Sequence, residues 1–130
     1  MCLEVDKRRT RELKQKLSKT GSIVCYKSIN CYNGKVRSLF YSHHTWLPEW
    51  NISNRDKIEL TYEEIVDGYI SHGIHVYTSY RAASSQYNKR DIIPVRCYKK
   101  DLVSGGKEGE AVFMKVFLRK RDYHKALKTL

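Results

Sequence analysis

The sequence is poor in proline and has no long apolar run. Only two of its 130 residues are proline and no low-complexity linker interrupts it, so we expect one domain. No stretch approaches the roughly 20 apolar residues that are needed to cross a bilayer. The basic N-terminal segment is not followed by the apolar segment that a secretory signal requires. We therefore expect a cytoplasmic protein with no membrane partner.

Paired metal-ligand motifs are also missing. The four cysteines are Cys2, Cys25, Cys31 and Cys97, and no two of them form a Cys-x-x-Cys pair. A structural zinc site needs paired ligands at short spacing. The last three cysteines lie in alternating apolar segments, where a reduced and buried thiol is the usual state. We expect no metal site and no cofactor on these grounds.

Positive charge dominates what is present. Lysine and arginine number 25 against 14 acidic residues, which gives a net charge of +11. Residues 1–20 carry +4 and residues 92–130 carry +6, whereas residues 61–91 carry −1. Such a field attracts polyanions and speeds their encounter with the protein. The charge therefore favours nucleic acid as the partner, with an acidic protein as an alternative.

Apolar periodicity and turn residues predict an α+β fold. We expect a single small domain with a mostly antiparallel sheet, an N-terminal helix and two short central helices. The basic N-terminal segment is residues 1–20, helical over 4–18 and ended by Gly21, and the α+β domain is residues 21–130. A capping box at Thr61 predicts one central helix over about 62–70, and Ser79 caps the other, through about Tyr87.

The strands are predicted from alternation and from one strong turn signal. Asn33-Gly34 tolerates the positive φ angles of a type I′ turn, so residues 22–43 are predicted to form a hairpin that pairs Tyr32 with Lys35. Residues 74–78, 92–99 and 111–119 are predicted as further strands, the last two joined by a glycine-rich loop at 104–109. The basic segment 120–128 is expected to be helical.

Aromatic and basic side chains share one face of the predicted strand pairs. A nucleic-acid base can stack on such a ring while a neighbouring cation contacts the phosphate. The alternative is that a helix covers this face and the rings belong to the core. The residues predicted to bind nucleic acid are Arg8, Arg9, Arg11, Lys35, Arg37, Arg96, Tyr98, Lys115, Phe117, Arg119, Lys120 and Arg121.

Three smaller patterns leave two interpretations open. The glycine loop 104–109 is either a plain hairpin loop or a backbone cradle for phosphate. His72 and His75 are either structural or acid–base groups, and a buried His75 needs a hydrogen-bond partner. Trp46 and Trp50 either anchor a loop or, where exposed, mark a partner site.

The stretch from Gly73 to Leu118 carries two resemblances. The strand Gly73-Ile74-His75-Val76-Tyr77, the following alanines and the strand Ile93-Pro94-Val95-Arg96-Cys97 resemble the pattern of small phage-encoded proteins. That resemblance implies a phage or mobile-element origin and no particular activity. An intracellular regulator or inhibitor of phage type would suit the size of the chain.

The same stretch is similar to the core of ADP-ribosyltransferases of the poly-ADP-ribose-polymerase type. The matching parts are Gly73 to Thr78, Ser79 to Tyr87, Ile92 to Tyr98 and the segment that Glu110 opens. The resemblance implies NAD as a cofactor. It implies that His43 or His44 holds the nicotinamide ribose, that Tyr77 lies near the nicotinamide pocket, and that Glu110 steadies an oxocarbenium-like transition state.

Together these observations favour a small, non-enzymatic binding module that engages a polyanion, nucleic acid above all. An ADP-ribosyltransferase-like domain that binds a nucleotide is the first alternative. A protein-interaction module that binds an acidic protein partner is the second.

Overall fold

The computed structural model describes residues 3–32, 34–38, 45–52, 69–70, 73–85, 92–107 and 109–129. Within them the chain is one small α+β domain with a mainly antiparallel sheet, an N-terminal helix and short helices, which confirms the predicted fold class. The helices are α1 Lys7–Thr20, α2 Tyr80–Ser84 and α3 Lys120–Thr129, and a 3-10 turn covers Lys99–Asp101. The strands are β1 Leu3–Glu4, β2 Ser22–Tyr32, β3 Lys35–Ser38, β4 Thr45–Trp46, β5 Glu49–Ile52, β6 Tyr69–Ile70, β7 Ile74–Tyr77, β8 Ile92–Tyr98, β9 Leu102–Gly105, β10 Glu110–Phe113 and β11 Lys115–Leu118.

The ends of α1 are set by two capping residues. The Asp6 side chain accepts a hydrogen bond from the backbone N–H of Arg9 at 2.9 Å and so starts the helix. Gly21 ends the helix in the left-handed conformation, as predicted. The predicted helix start at residue 4 is wrong, because β1 pairs with β6 as a strand.

The helix α1 packs onto the same core as the sheet. Leu13 and Leu17 are buried and belong to the cluster that includes Cys25, Trp46 and Phe113. None of the helices in the described ranges is long and apolar enough to cross a membrane. The apolar stripe of α1 is narrow, but it is sufficient to dock the helix because Leu13 and Leu17 pack into the core of the sheet.

A five-strand run, β11-β8-β2-β7-β10, forms the centre of the sheet, with β5 beyond β11 and β9 beyond β10. Its two outermost members, β10 and β11, are consecutive in the chain, and only Met114 separates them. In a flat sheet, four strand spacings would hold them about 19 Å apart. The sheet therefore curls so that the end of β10 meets the start of β11, as in a partly closed barrel.

The inner face of the curled sheet carries the buried residues of the alternating strands. Ile23, Cys25 and Ile29 from β2 meet Val95 and Cys97 from β8 in one cluster. Cys25 and Cys97 are free and buried, as predicted, whereas Cys2 and the Cys31 side chain lie outside the described part of the structure. Burial raises the pKa of the Cys97 thiol far above its ordinary value, and a hydrogen bond with the Cys25 thiol raises it further.

The predicted strand 111–119 is wrong as a single element. It breaks at Met114, whose N–H donates to the carbonyl oxygen of Asp101 at 2.8 Å. Its first half, β10, pairs with β7 and β9, and its second half, β11, pairs with β5 and β8. Phe113 therefore lies in the core and not on the aromatic–basic face.

The glycine loop is shorter than predicted because β9 extends to Gly105. The N–H of Gly105 donates to Thr10 Oγ1 at 3.0 Å, and the N–H of Gly106 donates to the carbonyl oxygen of Glu110 at 2.7 Å. Both donors are used within the protein, which favours the hairpin loop over a phosphate cradle.

The remaining local predictions are mostly confirmed. Tyr32 pairs with Lys35 across the predicted turn, and the Ser79 hydroxyl caps α2 by accepting from the N–H of Ala82 at 3.1 Å. The basic segment near the C-terminus is helical as α3. The predicted helix over 62–70 is wrong at its C-terminal end, because Tyr69–Ile70 form strand β6, and residues 62–68 lie outside the described residues.

We expect Gly105→Ala to destabilise the protein, because Gly105 is the point at which β9 touches α1. An added Cβ would lie 3.1 Å from the backbone nitrogen of Thr10 and 3.2 Å from the carbonyl carbon of Arg9. Relief requires a backbone shift, so the free energy of unfolding should fall by about 1–3 kcal/mol. Urea denaturation measures it, with Ser18→Ala on the exposed side of α1 as a control that should change by less than about 0.5 kcal/mol. Unchanged stability in Gly105→Ala would contradict this packing.

Candidate nucleic-acid interface

Trp50 is placed on the outer face of the sheet by the residue that follows it. Asn51 is buried, its Oδ1 accepts from the N–H of Leu47, and its Nδ2 donates to the carbonyl oxygen of Leu47, both at 2.8 Å. These bonds close the tight connection from β4 to β5, and Glu49, the first residue of β5, adopts a φ of 73°. Side chains alternate along a strand, so an inward Asn51 directs Trp50 outward.

The two tryptophans have different roles. Trp46 is completely buried in the core, whereas 38% of Trp50 is exposed. Trp46 therefore anchors the chain, and Trp50 is available to a partner. Trp46 therefore fits the anchoring interpretation, whereas Trp50 has the exposure that the partner-site interpretation requires.

Strand pairing aligns the outer-face residues in a row across four strands. Trp50 on β5 pairs with Phe117 on β11, Phe117 with Arg96 on β8, and Arg96 with Val24 on β2. Val24 is 40% exposed and Ile52, next to Trp50 on this face, is 52% exposed. Within the described ranges no helix covers this part of the face, so its side chains are accessible here.

Aromatic rings and ammonium groups meet around Trp50. The Trp50 ring centroid lies 5.1 Å from that of Phe117 and 5.5 Å from that of Tyr98. The Lys115 Nζ lies 4.6 Å from the Trp50 centroid and the Lys100 Nζ lies 6.0 Å from it. Both distances are within the range of cation–π attraction. We call this surface the Trp50 patch, and it consists of Trp50, Arg96, Tyr98, Lys100, Lys115 and Phe117.

A shallow groove of about 170 Å³ extends the Trp50 patch toward α3. Phe117 and Arg96 form one part of its lining, and Pro94 and Arg119 form another. The Arg119 Nε is held by the Asp122 carboxylate at 2.9 Å. Arg119 therefore lies beside the patch, as predicted, with its orientation fixed by an ion pair.

One acidic side chain lies close to the patch lysines. Burial raises the pKa of the Asp101 carboxyl, and the positive charges of Lys100 and Lys115 act in the opposite direction. The same residue accepts the backbone hydrogen bond from Met114 that marks the break between β10 and β11. The residue that fixes this break therefore also lies within electrostatic range of both lysines.

The predicted basic residues of α1 do not gather on one surface. Arg8 is exposed and pairs with Glu12 at 3.1 Å. Arg9 lines a polar cavity, and Arg11 lines a different groove that is mainly apolar. These residues therefore divide among several surfaces.

The other predicted cations lie on β3 and at the start of α3. Lys35 is exposed and pairs with Tyr32, eight residues along β2 from Val24, which corresponds to up to about 26 Å along the strand. Lys120 pairs with Glu49 at 3.1 Å, and the Arg121 Nε lies 4.0 Å from Asp122. The side chain of Arg37 lies outside the described part of the structure.

The residues that the transferase resemblance implies are partly brought together. Glu110 on β10 pairs directly with Tyr77 on β7, and Tyr77 is buried. Glu110 lines the polar cavity of about 350 Å³ that Arg9 and Lys16 also line. His44 lies outside the described residues.

His75 is buried, and its Nδ1 lies 3.3 Å from the carbonyl oxygen of Gly73, which supplies the hydrogen-bond partner that burial requires. His72 lies outside the described residues. This contact favours the structural interpretation of His75 over the acid–base interpretation.

Lys27 is a buried cation that the sequence interpretation missed. Its Nζ donates to the carbonyl oxygen of His75 at 2.6 Å. Burial lowers the pKa of Lys27 to about 8, although the negative charge of Glu110 acts in the opposite direction. The alternation of β2 carried the signal, since Lys27 lies between the inward residues Cys25 and Ile29.

Comparison with known proteins gives no relative for this site. No family model, curated protein or solved structure matches the chain. The resemblances to phage-encoded proteins and to ADP-ribosyltransferases therefore stay predictions.

The lowered pKa of Lys27 predicts a specific pH dependence of stability. Below about pH 8 the lysine is charged in both states, and the folded state bears the full cost of burying it. Between about 8 and 10.5 the unfolded chain holds more protons, so stability rises with pH. The shift corresponds to about 3 kcal/mol.

Lys27→Met should remove this contribution. We expect the free energy of unfolding of the unmodified protein, measured relative to Lys27→Met by urea denaturation, to rise by about 3 kcal/mol from about pH 7 to pH 10.5. All other ionisable groups are present in both proteins, so their effects cancel in the difference. A difference that stays constant over this range would show that Lys27 keeps its ordinary pKa.

Proposed function

We propose that the protein binds single-stranded nucleic acid through the Trp50 patch. The observation that carries the proposal is an exposed Trp50 ring with two lysine ammonium groups at 4.6 and 6.0 Å from its centroid. Bases stack on aromatic rings while lysine and arginine contact the phosphates, and this combination is typical of single-strand binding. A duplex presents its bases edge-on, so stacking on Trp50 favours unpaired bases.

The Trp50 patch offers both parts of such a site at short range. Phe117 and Tyr98 hold the Trp50 ring at the edge of an aromatic cluster, which limits its loss of freedom on binding. Arg96 is exposed beside Phe117, with one terminal nitrogen 3.1 Å from the Ser22 hydroxyl. A nucleic-acid strand that crosses β5, β11 and β8 would therefore contact the Trp50 ring first and the Arg96 guanidinium group next.

Lys115 and Lys100 have a second role in this proposal. In the free protein both ammonium groups lie against the Trp50 ring. A base that stacks on the ring can replace them there, and phosphates on either side attract the displaced charges. Binding therefore exchanges a cation–π contact for a phosphate contact at each lysine.

Trp50→Ala should weaken binding of a fluorescein-labelled 15-nucleotide oligothymidylate by about 5- to 150-fold, the loss of one stacked base. Lys100→Gln combined with Lys115→Gln should lower the slope of log affinity against log salt by about 1.4. Fluorescence anisotropy at several salt concentrations measures both effects. Lys19→Gln combined with Lys128→Gln, on exposed positions of α1 and α3, is the charge-matched control.

Three results would contradict the proposal. The first is an unchanged affinity in Trp50→Ala. The second is an equal loss of salt slope in the control pair, which would indicate diffuse attraction by the net charge. The third is tighter binding of a hairpin duplex than of the oligothymidylate.

A second candidate function, nucleotide binding, is favoured by the register between β7 and β10. Glu110 lies directly beside Tyr77, and Arg9 and Lys16 line the same cavity as Glu110. Two cations suit a pyrophosphate, and a glutamate suits a ribose hydroxyl. NAD is the ligand that the sequence resemblance implies for this arrangement.

NAD at millimolar concentration should then raise the melting temperature, and Glu110→Gln should remove the increase. Differential scanning fluorimetry measures it, with Glu12→Gln as a second variant in the same cavity. No stabilisation of the unmodified protein, or equal stabilisation of Glu110→Gln, would eliminate this candidate without affecting the Trp50 patch.

A further inference from the structure

A second groove, separate from the Trp50 patch, lies between α1 and β9. Its volume is about 400 Å³, and most of its lining surface is apolar. Val5 and Val103 form the apolar part and pack on Val112, which is completely buried beneath them. The remaining lining residues are Lys7, Thr10, Arg11, Lys14 and Ser104.

The groove has cations along one side only. Lys7, Arg11 and Lys14 follow one another at spacings of four and three residues, which places them on one face of α1. All three are exposed, and none of the described residues that line the groove is acidic. Glu12, the acidic residue of α1, lines the polar cavity instead and pairs with Arg8.

The wall and floor of the groove are held in fixed positions. The Thr10 hydroxyl hydrogen-bonds to the Asp6 carbonyl oxygen at 2.8 Å and lies 3.3 Å from the Ser104 hydroxyl. The N–H of Gly105 donates to Thr10 Oγ1, and the Gly105 backbone is too close to α1 to accept a Cβ without a shift. The groove is therefore preformed, which lowers the cost of binding.

We propose that this groove binds a short acidic segment of a partner protein that carries one or two aliphatic side chains. The valines accept the aliphatic side chain, and the lysines and arginine accept the carboxylates. The proposal concerns a different surface and a different class of partner from the Trp50 patch, and neither depends on the other.

Charge spacing favours a peptide over a fatty acid. The three cations span seven residues of helix, or about 10 Å, which is more than a single carboxylate can contact. The groove is open, so it leaves most of a long acyl chain in water. Several carboxylates spread along a peptide match this spacing.

The apolar floor favours a peptide over nucleic acid. A sugar–phosphate backbone has no aliphatic group to bury against Val5 and Val103, and neither valine offers a ring for a base to stack on. Burying one leucine-sized side chain strengthens binding by roughly ten- to a hundredfold, which a purely electrostatic ligand does not gain.

A phage-displayed library of random 12-residue peptides, selected against the full chain, tests the proposal. We expect the enriched peptides to contain several aspartates or glutamates around a leucine, isoleucine or valine. A synthetic peptide of the enriched sequence should lose at least about tenfold in affinity when its aliphatic residue is changed to serine.

Variants of the protein locate the binding site. Arg11→Glu combined with Lys14→Glu should lower the affinity for the enriched peptide at least tenfold, as measured by fluorescence anisotropy. Lys19→Glu combined with Lys128→Glu places the same charge change on exposed positions of α1 and α3 away from the groove and should lower it less than threefold. All four positions are exposed, so folding should not be affected.

The proposal is overturned by any of four results. These are the absence of an acidic–aliphatic consensus, an equal loss in both variant pairs, an affinity that is indifferent to the aliphatic residue, and equal competition by an oligothymidylate of the same charge. The last result would assign the groove to nucleic acid.

Discussion

The break at Met114 is the constraint on which the rest of the structure depends. One residue carries the chain from β10, at one end of the central five-strand run, to β11, at the other end. The backbone hydrogen bond from Met114 to Asp101 ties this crossing to the 3-10 turn after β8. Since covalent geometry allows no long span here, the sheet has to curl. Curling brings Lys115 and Phe117 between β5 and β8, next to Trp50, and leaves Glu110 beside Tyr77 on the other side of the break.

Local signals in the sequence were sufficient for the elements that they directly control. Gly21, the Asn33-Gly34 turn and Ser79 each set a boundary that the structure confirms. The alternation of β8 correctly predicted its buried and exposed faces. The fold class followed from these elements together.

The parts that failed depend on long-range pairing. An unbroken apolar alternation over 111–119 carries no local sign of a break, because the break is imposed by which strands the two halves meet. The outward position of Trp50 depends on Asn51, whose side chain hydrogen-bonds the backbone of Leu47 in the turn between β4 and β5. Lys100 joins the Trp50 patch from beyond the end of β8, where alternation no longer applies. The alternation placed Arg96 and Phe117 on one face, whereas the position of Trp50 was left undecided.

The positively charged side chains of the chain lie on more than one surface. The Trp50 patch combines cations with exposed rings, whereas the groove beside α1 combines them with aliphatic side chains. Aromatic rings accompany the cations on one surface and aliphatic side chains accompany them on the other. We therefore expect the two surfaces to bind partners of different chemistry. In the proposed function, nucleic acid stacks on Trp50. The two tryptophan indole N–H signals in a nitrogen-15 correlation spectrum, assigned with Trp50→Phe, test it most directly. On addition of oligothymidylate, the Trp50 signal should shift while that of the buried Trp46 stays in place. A stationary Trp50 signal, with changes confined to α1, would contradict the account.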